Sequence, residues 1–129
     1  MDRKIVSTAR APKAIGPYSQ GIEAGGFIFC SGQIPLDPQT GQLIEGDISV
    51  QTKRILDNLD AVLRAAGSSL AGAVKITVYL TDLGHFEALN RVMAERFPQE
   101  PPARAVVQVS ALPKNASVEM DLIALKERK

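Results

Sequence analysis

Two segments of the chain repeat apolar residues every three or four positions, which is the spacing of one buried helix face. In the first, Asp47 is a suitable N-cap, and Gly67 is placed to adopt the left-handed conformation that ends many helices. In the second, Asp82 is a suitable N-cap, and Pro98 ends the helix because it has no N–H to donate. The apolar positions are Ile55, Leu59, Val62, Leu63 and Ala66 in the first segment, and Phe86, Leu89, Met93 and Phe97 in the second.

Six shorter segments are rich in β-prone residues or alternate apolar with polar positions, as strands do. They cover residues 4–8, 20–24, 27–33, 74–80, 103–109 and 117–125. Gly25 and Gly26 separate the second segment from the third and fit a tight hairpin turn. The fourth segment alternates clearly, with Val74, Ile76, Val78 and Leu80 on one face and Lys75, Thr77 and Tyr79 on the other.

This order of elements predicts an α+β fold, in which both helices pack on one face of a mixed six-stranded sheet. The opposite face of the sheet then has no cover from the same chain. We expect that face to carry Tyr79, Arg104, Val106, Gln108 and Glu119. Because an uncovered, half-apolar sheet face is typical of a subunit interface, the pattern predicts an oligomer.

Length and charge narrow the class of protein. The chain has 129 residues, with 15 Lys and Arg against 14 Asp and Glu, and a net charge of +1. This length suits one domain, and the near-zero charge without a basic run disfavours nucleic acid as the main partner. The sequence has no signal-peptide pattern and no apolar stretch of about 18 residues, so we expect a cytoplasmic protein with no membrane contact.

Cys30 is the only cysteine and His85 the only histidine. A single cysteine excludes an internal disulfide and a Cys-rich zinc site, and Cys30 follows apolar residues that predict a buried thiol. His85 fits a solvated position at the start of the second helix, with nothing to place it near a nucleophile. The sequence also has no glycine-rich phosphate loop, dinucleotide fingerprint or metal-ligand cluster. We therefore predict no cofactor and no metal.

Arg104 and Glu119 are the residues best suited to chemistry. Arg104 begins a strand and offers a planar fork of donors that matches a carboxylate or a phosphate. Glu119 shares one face of its strand with Asp121, and a partly desolvated carboxylate beside an arginine can act as a general acid or base. The alternative is structural, because Arg104 and Glu119 can equally form an ordinary ion pair.

Two loop positions offer weaker candidates. Tyr18 follows Gly16-Pro17, and its phenol can point into a cleft or simply cover the body of the protein. Ser31 and Gly32 end an apolar strand, where the hydroxyl and backbone N–H groups can be offered to a ligand or can form a turn.

Taken together, four sets of motifs resemble the Rid family, the RidA/YjgF group of reactive-intermediate deaminases that is also described as L-PSP endoribonuclease-like. Each motif is weak alone, but they occur in order over essentially the whole chain, as a single domain of residues 1–129. The motifs are Ala14-Ile15-Gly16-Pro17-Tyr18-Ser19-Gln20, Ser31-Gly32-Gln33-Ile34-Pro35, Pro102-Ala103-Arg104 with Val107-Gln108-Val109, and Leu112-Pro113-Lys114 followed by Val118-Glu119.

The resemblance implies a chorismate-mutase-like fold and a homotrimer with active sites between subunits. It implies cofactor-independent hydrolysis of 2-imino acids, which arise from enamines released by pyridoxal-phosphate enzymes, to 2-keto acids and ammonia. Arg104 would bind the substrate carboxylate and Glu119 would activate water. Tyr18 would order the site, and Ser31 with the Gly32 backbone would complete the pocket. We expect substrates with small side chains, because Tyr18 and its apolar neighbours would narrow that pocket.

The chain departs from the family pattern at Val106, where many catalytic members carry cysteine. If that cysteine only lines the pocket, Val106 alters side-chain preference, whereas a role in proton transfer would mean reduced activity. The alternatives to a deaminase are a non-catalytic trimer that binds small carboxylates and a chaperone or regulatory protein. RNA cleavage is disfavoured because the sequence has no basic patch and no histidine-based acid–base pair.

Overall fold

The computed structural model describes residues 2–126 and contains six strands and two α-helices. The strands are β1 (Arg3–Val6), β2 (Gly21–Ala24), β3 (Phe27–Gln33), β4 (Ala73–Leu80), β5 (Ala103–Gln108) and β6 (Val118–Leu125). The helices are α1 (Ile48–Ala65) and α2 (Phe86–Arg96). Short 3₁₀ turns at Leu70–Gly72, Leu83–His85 and Pro113–Asn115 join some of these elements.

The strands form one mixed sheet in the order β1-β2-β3-β6-β4-β5. Only β4 and β5 are parallel, and α2 is the crossover that connects them. Both helices pack on the same face of the sheet, where they share one hydrophobic core. The predicted α+β fold with two helices on one face of a six-stranded sheet is therefore confirmed.

The core lies between the helices and the sheet, and its positions follow the expected periodicities. In β6, buried and partly exposed residues alternate along the whole strand. Both predicted ends of α1 are confirmed: the Asp47 side chain accepts from the Val50 N–H at 3.0 Å, and Gly67 has φ +82° just beyond the helix. The largest fully buried side chains include Ile28, Ile55, Leu56, Leu59, Leu63, Ile76, Leu80, Leu89 and Met120.

Two predictions about apolar positions were wrong. Val74 is 38% exposed, because the register of β4 against β6 shifts between Ala73 and Lys75 and interrupts the alternation there. Phe86 is also 38% exposed, since it is the first residue of α2 and lies outside the buried stripe. The predicted N-cap of the second helix at Asp82 was also wrong, because α2 begins only at Phe86. Asp82 instead caps the preceding 3₁₀ turn, accepting from the Gly84 N–H at 2.8 Å.

The sheet face opposite the helices, which we call the open face, is not covered by any other element of residues 2–126. Ile5 is 68% exposed and Phe29 is 43% exposed there, and Phe27 packs its ring 6.4 Å from that of Phe29. Tyr79 and Glu119 lie on this face as predicted, because they alternate with the buried residues of β4 and β6. Among residues 2–126, no helix is long and apolar enough to cross a membrane.

The predicted position of Arg104, Val106 and Gln108 on the open face was wrong. In the parallel register these residues pair with Ile76, Val78 and Leu80 of β4, whose side chains are buried under the helices. Paired residues of neighbouring strands share a face, so all three side chains of β5 point to the helix side. Val106 accordingly packs against the hydrophobic core.

Candidate active site

A small cleft forms around the Glu119 carboxylate, where β6 passes the end of β3. The cleft has a volume of about 60 Å³. Lys13, Gln33 and Glu119 contribute its charged and amide side chains, and most of the other lining residues are apolar. A small organic molecule could therefore contact an apolar wall beside a few polar groups. Its lining includes Lys13, Ile15, Tyr18, Gly32, Ile34, Pro113 and Glu119.

Gly32 determines where the Glu119 carboxylate can lie. A Cβ at position 32 would overlap Oε2 of Glu119, so any other residue there would displace the carboxylate. Gly32 lies in the irregular part of β3, where the register against β6 shifts between Cys30 and Gln33. The structure therefore brings these two predicted site residues into direct contact, with the carboxylate against bare backbone.

Tyr18 borders the same cleft, as predicted. Its hydroxyl oxygen accepts a hydrogen bond from the Ile15 N–H at 3.2 Å. Because the oxygen is the acceptor in that bond, the phenol keeps its own proton for donation to another group. Tyr18 is exposed on its other side, so a ligand can reach it from solvent.

In the single chain, Ser31 stabilises the loop that precedes β2. Its hydroxyl donates to the Ser19 carbonyl at 2.5 Å, and its N–H donates to the Gln20 carbonyl at 3.0 Å. These bonds fasten the end of β3 to the segment that carries Tyr18. Ser31 does not line the cleft itself, but the hydroxyl oxygen retains lone pairs that can accept a further hydrogen bond.

Gln20 is a residue of this region that the sequence analysis did not single out. It is only 5% exposed, and its amide oxygen accepts from the Thr8 N–H at 2.7 Å. Its amide nitrogen donates to the carbonyls of Thr8, Ala11 and Pro12 at 3.1, 3.3 and 2.8 Å. Gln20 thus holds the backbone just before Lys13 and Ile15, two residues of the cleft. Its place as the last residue of the motif that contains Tyr18 was the only sequence signal for this role.

The surroundings of Glu119 favour its protonated form. Burial of the side chain and, secondarily, the negative charge of Asp121 raise the pKa of Glu119 above its ordinary value. Tyr79 donates its hydroxyl proton to Oδ2 of Asp121 at 3.0 Å, and this bond is the main reason that the pKa of Tyr79 is also raised. A carboxylate with a raised pKa binds a proton more readily than an ordinary one, which suits a general base.

Arg104 is held against α2, away from this cleft. Its Nη1 donates to Oδ1 of Asn90 at 2.6 Å, and its guanidinium lies 5.5 Å from the centre of the Phe86 ring. Within residues 2–126 it forms no ion pair, so the structural alternative of an Arg104–Glu119 pair is not observed in the single chain. A cavity of about 470 Å³ beside Arg104 extends toward Phe97 and Pro101.

Arg104 and Glu119 lie on opposite faces of the sheet, and β4 separates their strands. Val106 is on the same side as Arg104, half-buried against the core. A single chain therefore does not bring the predicted anchor and the predicted general base together. The predicted site residues fall into two separate groups, which we call the two halves of the candidate site: Glu119 with Tyr18 and Gly32, and Arg104 with Val106.

Other reactive groups lie outside both halves. Burial raises the pKa of the Cys30 thiol to about 12, so it stays protonated and is a poor nucleophile at neutral pH. His85 lines a separate groove between the start of α1 and α2. In the described part of the chain, no group of three or more His, Cys, Asp or Glu residues is arranged to hold a metal ion.

Comparison with known proteins identifies the family. The family model described as Endoribonuclease L-PSP matches residues 8–126. A RutC family protein of Pyrococcus abyssi is 52% identical over 127 residues, covering 98% of this chain and 100% of the relative. The chain belongs to the Rid family. Its Rid relatives include the human 2-iminobutanoate/2-iminopropanoate deaminase, 42% identical over 96% of this chain and 90% of the human protein.

A solved Rid-type structure supports the fold assignment and extends over nearly all of the chain. Escherichia coli TdcF, whose crystal structure contains bound serine, superposes with a TM-score of 0.89 at 42% identity and covers 98% of this chain and 99% of TdcF. The chorismate-mutase-like α+β fold implied by the sequence resemblance is thus confirmed.

Proposed function

We propose that this Rid protein is a cofactor-independent deaminase that hydrolyses 2-imino acids, of the 2-iminobutanoate and 2-iminopropanoate type, to 2-keto acids and ammonia. The observation that carries the proposal is the Glu119 carboxyl, half-buried in a small cleft with a raised pKa and with the Gly32 backbone and the Tyr18 phenol beside it. The human and bovine relatives that bear the name of this activity support it at 42% and 45% identity.

We further propose that the active site is completed by a second copy of the chain within a homotrimer. Two features of the single chain support this assembly. The open face exposes Ile5, Phe27 and Phe29, a loss of hydrophobic stabilisation that another subunit would recover. The second feature is Arg104, which extends from the edge strand and has no acidic partner among residues 2–126. In the assembly, Arg104 of one subunit would face the Glu119 cleft of its neighbour.

In the proposed reaction, Arg104 binds the substrate carboxylate with its two-pronged guanidinium. Ionised Glu119 takes a proton from a water molecule, whose oxygen bonds to the imine carbon as the C=N π electrons move to nitrogen. Glu119 then returns that proton to nitrogen and Tyr18 donates a second. The C–N bond breaks as the hydroxyl oxygen forms the keto C=O bond, the hydroxyl proton passes back to the Tyr18 oxygen, and ammonia leaves. No covalent enzyme intermediate is needed.

Val106 and Ser31 complete this proposal. Val106 would form a wall of the pocket beside Arg104, so its apolar side chain would favour small aliphatic substrates. Ser31 would contribute through the loop that it fastens, and its hydroxyl oxygen could accept a bond from the imine N–H. Since Val106 cannot transfer a proton, Glu119 and Tyr18 would be the proton carriers.

The test generates 2-imino acids in place with an amino-acid oxidase and traps the remaining imine as its semicarbazone. We expect the wild type to suppress the trapped product catalytically and Glu119→Ala to lose that suppression. Glu45→Ala, which alters an exposed glutamate elsewhere in the chain, is the matched control and should behave as wild type. Equal semicarbazone formation with and without wild-type protein, over several side chains, would contradict the proposal.

Non-catalytic binding of small carboxylates is the second candidate, and Val106 at the position of the frequent family cysteine favours it. The crystal structure of TdcF contains bound serine, a small molecule with a carboxylate, and this is consistent with such a ligand for the present chain. A binder and a hydrolase would share the Arg104 anchor, so binding experiments alone cannot separate them. Turnover and its dependence on Glu119 separate them, because a binder would retain its ligand affinity in Glu119→Ala without ever consuming the imine.

A further inference from the structure

A polar cluster on the open face continues from Glu119 away from the cleft. Tyr79 of β4 is paired directly opposite Glu119 of β6, and Thr77 is paired opposite Asp121. Directly opposed residues of antiparallel strands have their Cβ atoms about 5 Å apart. Tyr79 therefore stands beside both carboxylates and donates its hydroxyl proton to one of them, Oδ2 of Asp121, at 3.0 Å.

The charged and titratable groups around Glu119 come from three parts of the chain. Asp121 lies two residues along β6, Tyr79 is on β4, and Lys13 and Tyr18 line the cleft from the loop before β2. The neighbouring residues of β3, Gly32 and Gln33, carry no charge. Asp121 is thus the only other carboxylate beside Glu119 in the described chain. After burial, its negative charge is the second cause of the raised pKa of Glu119.

We propose, on the basis of the deaminase function above, that Asp121 and Tyr79 act on Glu119 as a pair of positioning residues and set the pH range in which Glu119 exchanges protons with water and substrate. Asp121 supplies a fixed negative charge on the same face. The Tyr79 hydroxyl holds the Asp121 carboxylate in one orientation and disperses part of that charge. Neither residue touches the substrate, and both act through Glu119.

This arrangement predicts opposite effects from two nearly isosteric substitutions. Asp121→Asn removes the negative charge, so Glu119 should lose its proton more easily and the acidic limb of the pH–rate profile should move down by about one pH unit. Tyr79→Phe leaves the charge but removes the hydrogen bond that disperses it. The same limb should then move up, by about 0.3 pH unit.

The experiment measures both the proton affinity of Glu119 and the reaction. Protein labelled with carbon-13 in the glutamate carboxyl groups is titrated by NMR, and the Glu119 signal is assigned from its absence in Glu119→Gln. The pH dependence of kcat/KM for imine hydrolysis is recorded on the same variants. Thr77→Val, on the same face and opposite Asp121, is the matched control. It should leave the NMR titration of Glu119 and the pH dependence of kcat/KM unchanged. Asp121→Glu keeps the charge and should restore most of the wild-type profile.

The outcomes separate this inference from the proposed function. Shifts of opposite sign in Asp121→Asn and Tyr79→Phe, seen by NMR and in the rate profile, support it. A Glu119 titration that is the same in wild type and both variants overturns it, whatever the activity. Opposite NMR shifts in a protein without turnover would uphold the action of the pair on Glu119 and refute the deaminase function instead.

Discussion

The two halves of the candidate site are built in different ways. Glu119 belongs to a central strand, and its carboxylate lies against the Gly32 backbone in a cleft whose loop is held by the buried Gln20 amide. Arg104 belongs to the edge strand β5, and its guanidinium is exposed and held by Asn90 and the Phe86 ring. The position of Glu119 is thus fixed by neighbouring backbone, whereas the position of Arg104 is fixed by the contacts of its own long side chain.

This difference explains what each half can do alone. In the cleft half, the contact of Glu119 with Gly32 and the partial burial of its carboxyl already exist within one chain. The arginine half holds a cation at the boundary of the molecule, beside a cavity of about 470 Å³ that contains no carboxylate in its lining among the described residues. A carboxylate-containing substrate would need both, and so the halves should respond unequally to substitution.

The largest effect is expected from removing the anchor. Arg104→Ala should lower kcat/KM for imine hydrolysis by about 100-fold or more, since it removes two charge-assisted hydrogen bonds. Arg104→Lys keeps the charge but not the planar pair of donors, and should lower kcat/KM by about 10-fold. Arg91→Ala, an exposed arginine of α2, serves as the control. Steady-state kinetics in which Arg104→Ala matches Arg91→Ala would refute the anchoring role.

Gly32→Ala should have the next largest effect, and we expect it to lower kcat. The new Cβ would overlap the end of the Glu119 side chain, which is flexible enough to move aside, so the protein should still fold. A displacement of about 1 Å in a catalytic group can cost up to about 100-fold, and we expect a loss of about 30-fold. The double variant with Glu119→Gln should show no further loss beyond Glu119→Gln alone. Additive losses would mean that Gly32 acts independently of the carboxylate.

The same contrast governs how much of the site could be predicted from the sequence. The regular alternation of β6 placed Glu119 and Asp121 on the open face, and the caps of α1 at Asp47 and Gly67 depend only on local chemistry. Positions of this kind are predictable because their burial repeats with the period of the element itself.

Arg104 could not be placed in this way. β5 reads Ala-Arg-Ala-Val-Val-Gln and has no clear alternation, so its faces are decided by the parallel register with β4 and not by its own pattern. The Tyr79–Asp121 bond also depends on register between two strands that are 42 residues apart. The four hydrogen bonds of Gln20 depend on the path of the preceding loop. These tertiary contacts have no periodic signal in the sequence.

Asn90→Ala should have a smaller effect, mainly on KM. The Asn90 oxygen holds Nη1 of Arg104 at 2.6 Å, and losing one such bond would free the guanidinium to adopt other rotamers, at a cost of about five-fold in KM with kcat unchanged. Asn90→Asp should raise KM further, since a fixed carboxylate would compete with the substrate for Arg104. An equal fall in kcat for both variants would show that Asn90 acts on the chemical step instead.

Glu119→Gln should slightly increase the free energy of unfolding, although the same substitution should remove activity. The pKa of Glu119 in the folded chain is raised above the ordinary value of 4.5, so the folded form binds more protons than the unfolded form above that pH, and stability falls as the pH rises through this window. Glutamine is never ionised and avoids this loss. Thermal unfolding should therefore find the variant slightly more stable than wild type at pH 8. The difference should vanish at pH 3.5, where Glu119 is largely protonated in both the folded and the unfolded wild type. A difference that persists unchanged between these two pH values would mean that the substitution acts through packing, and that the half-buried charge of Glu119 carries no cost to the fold.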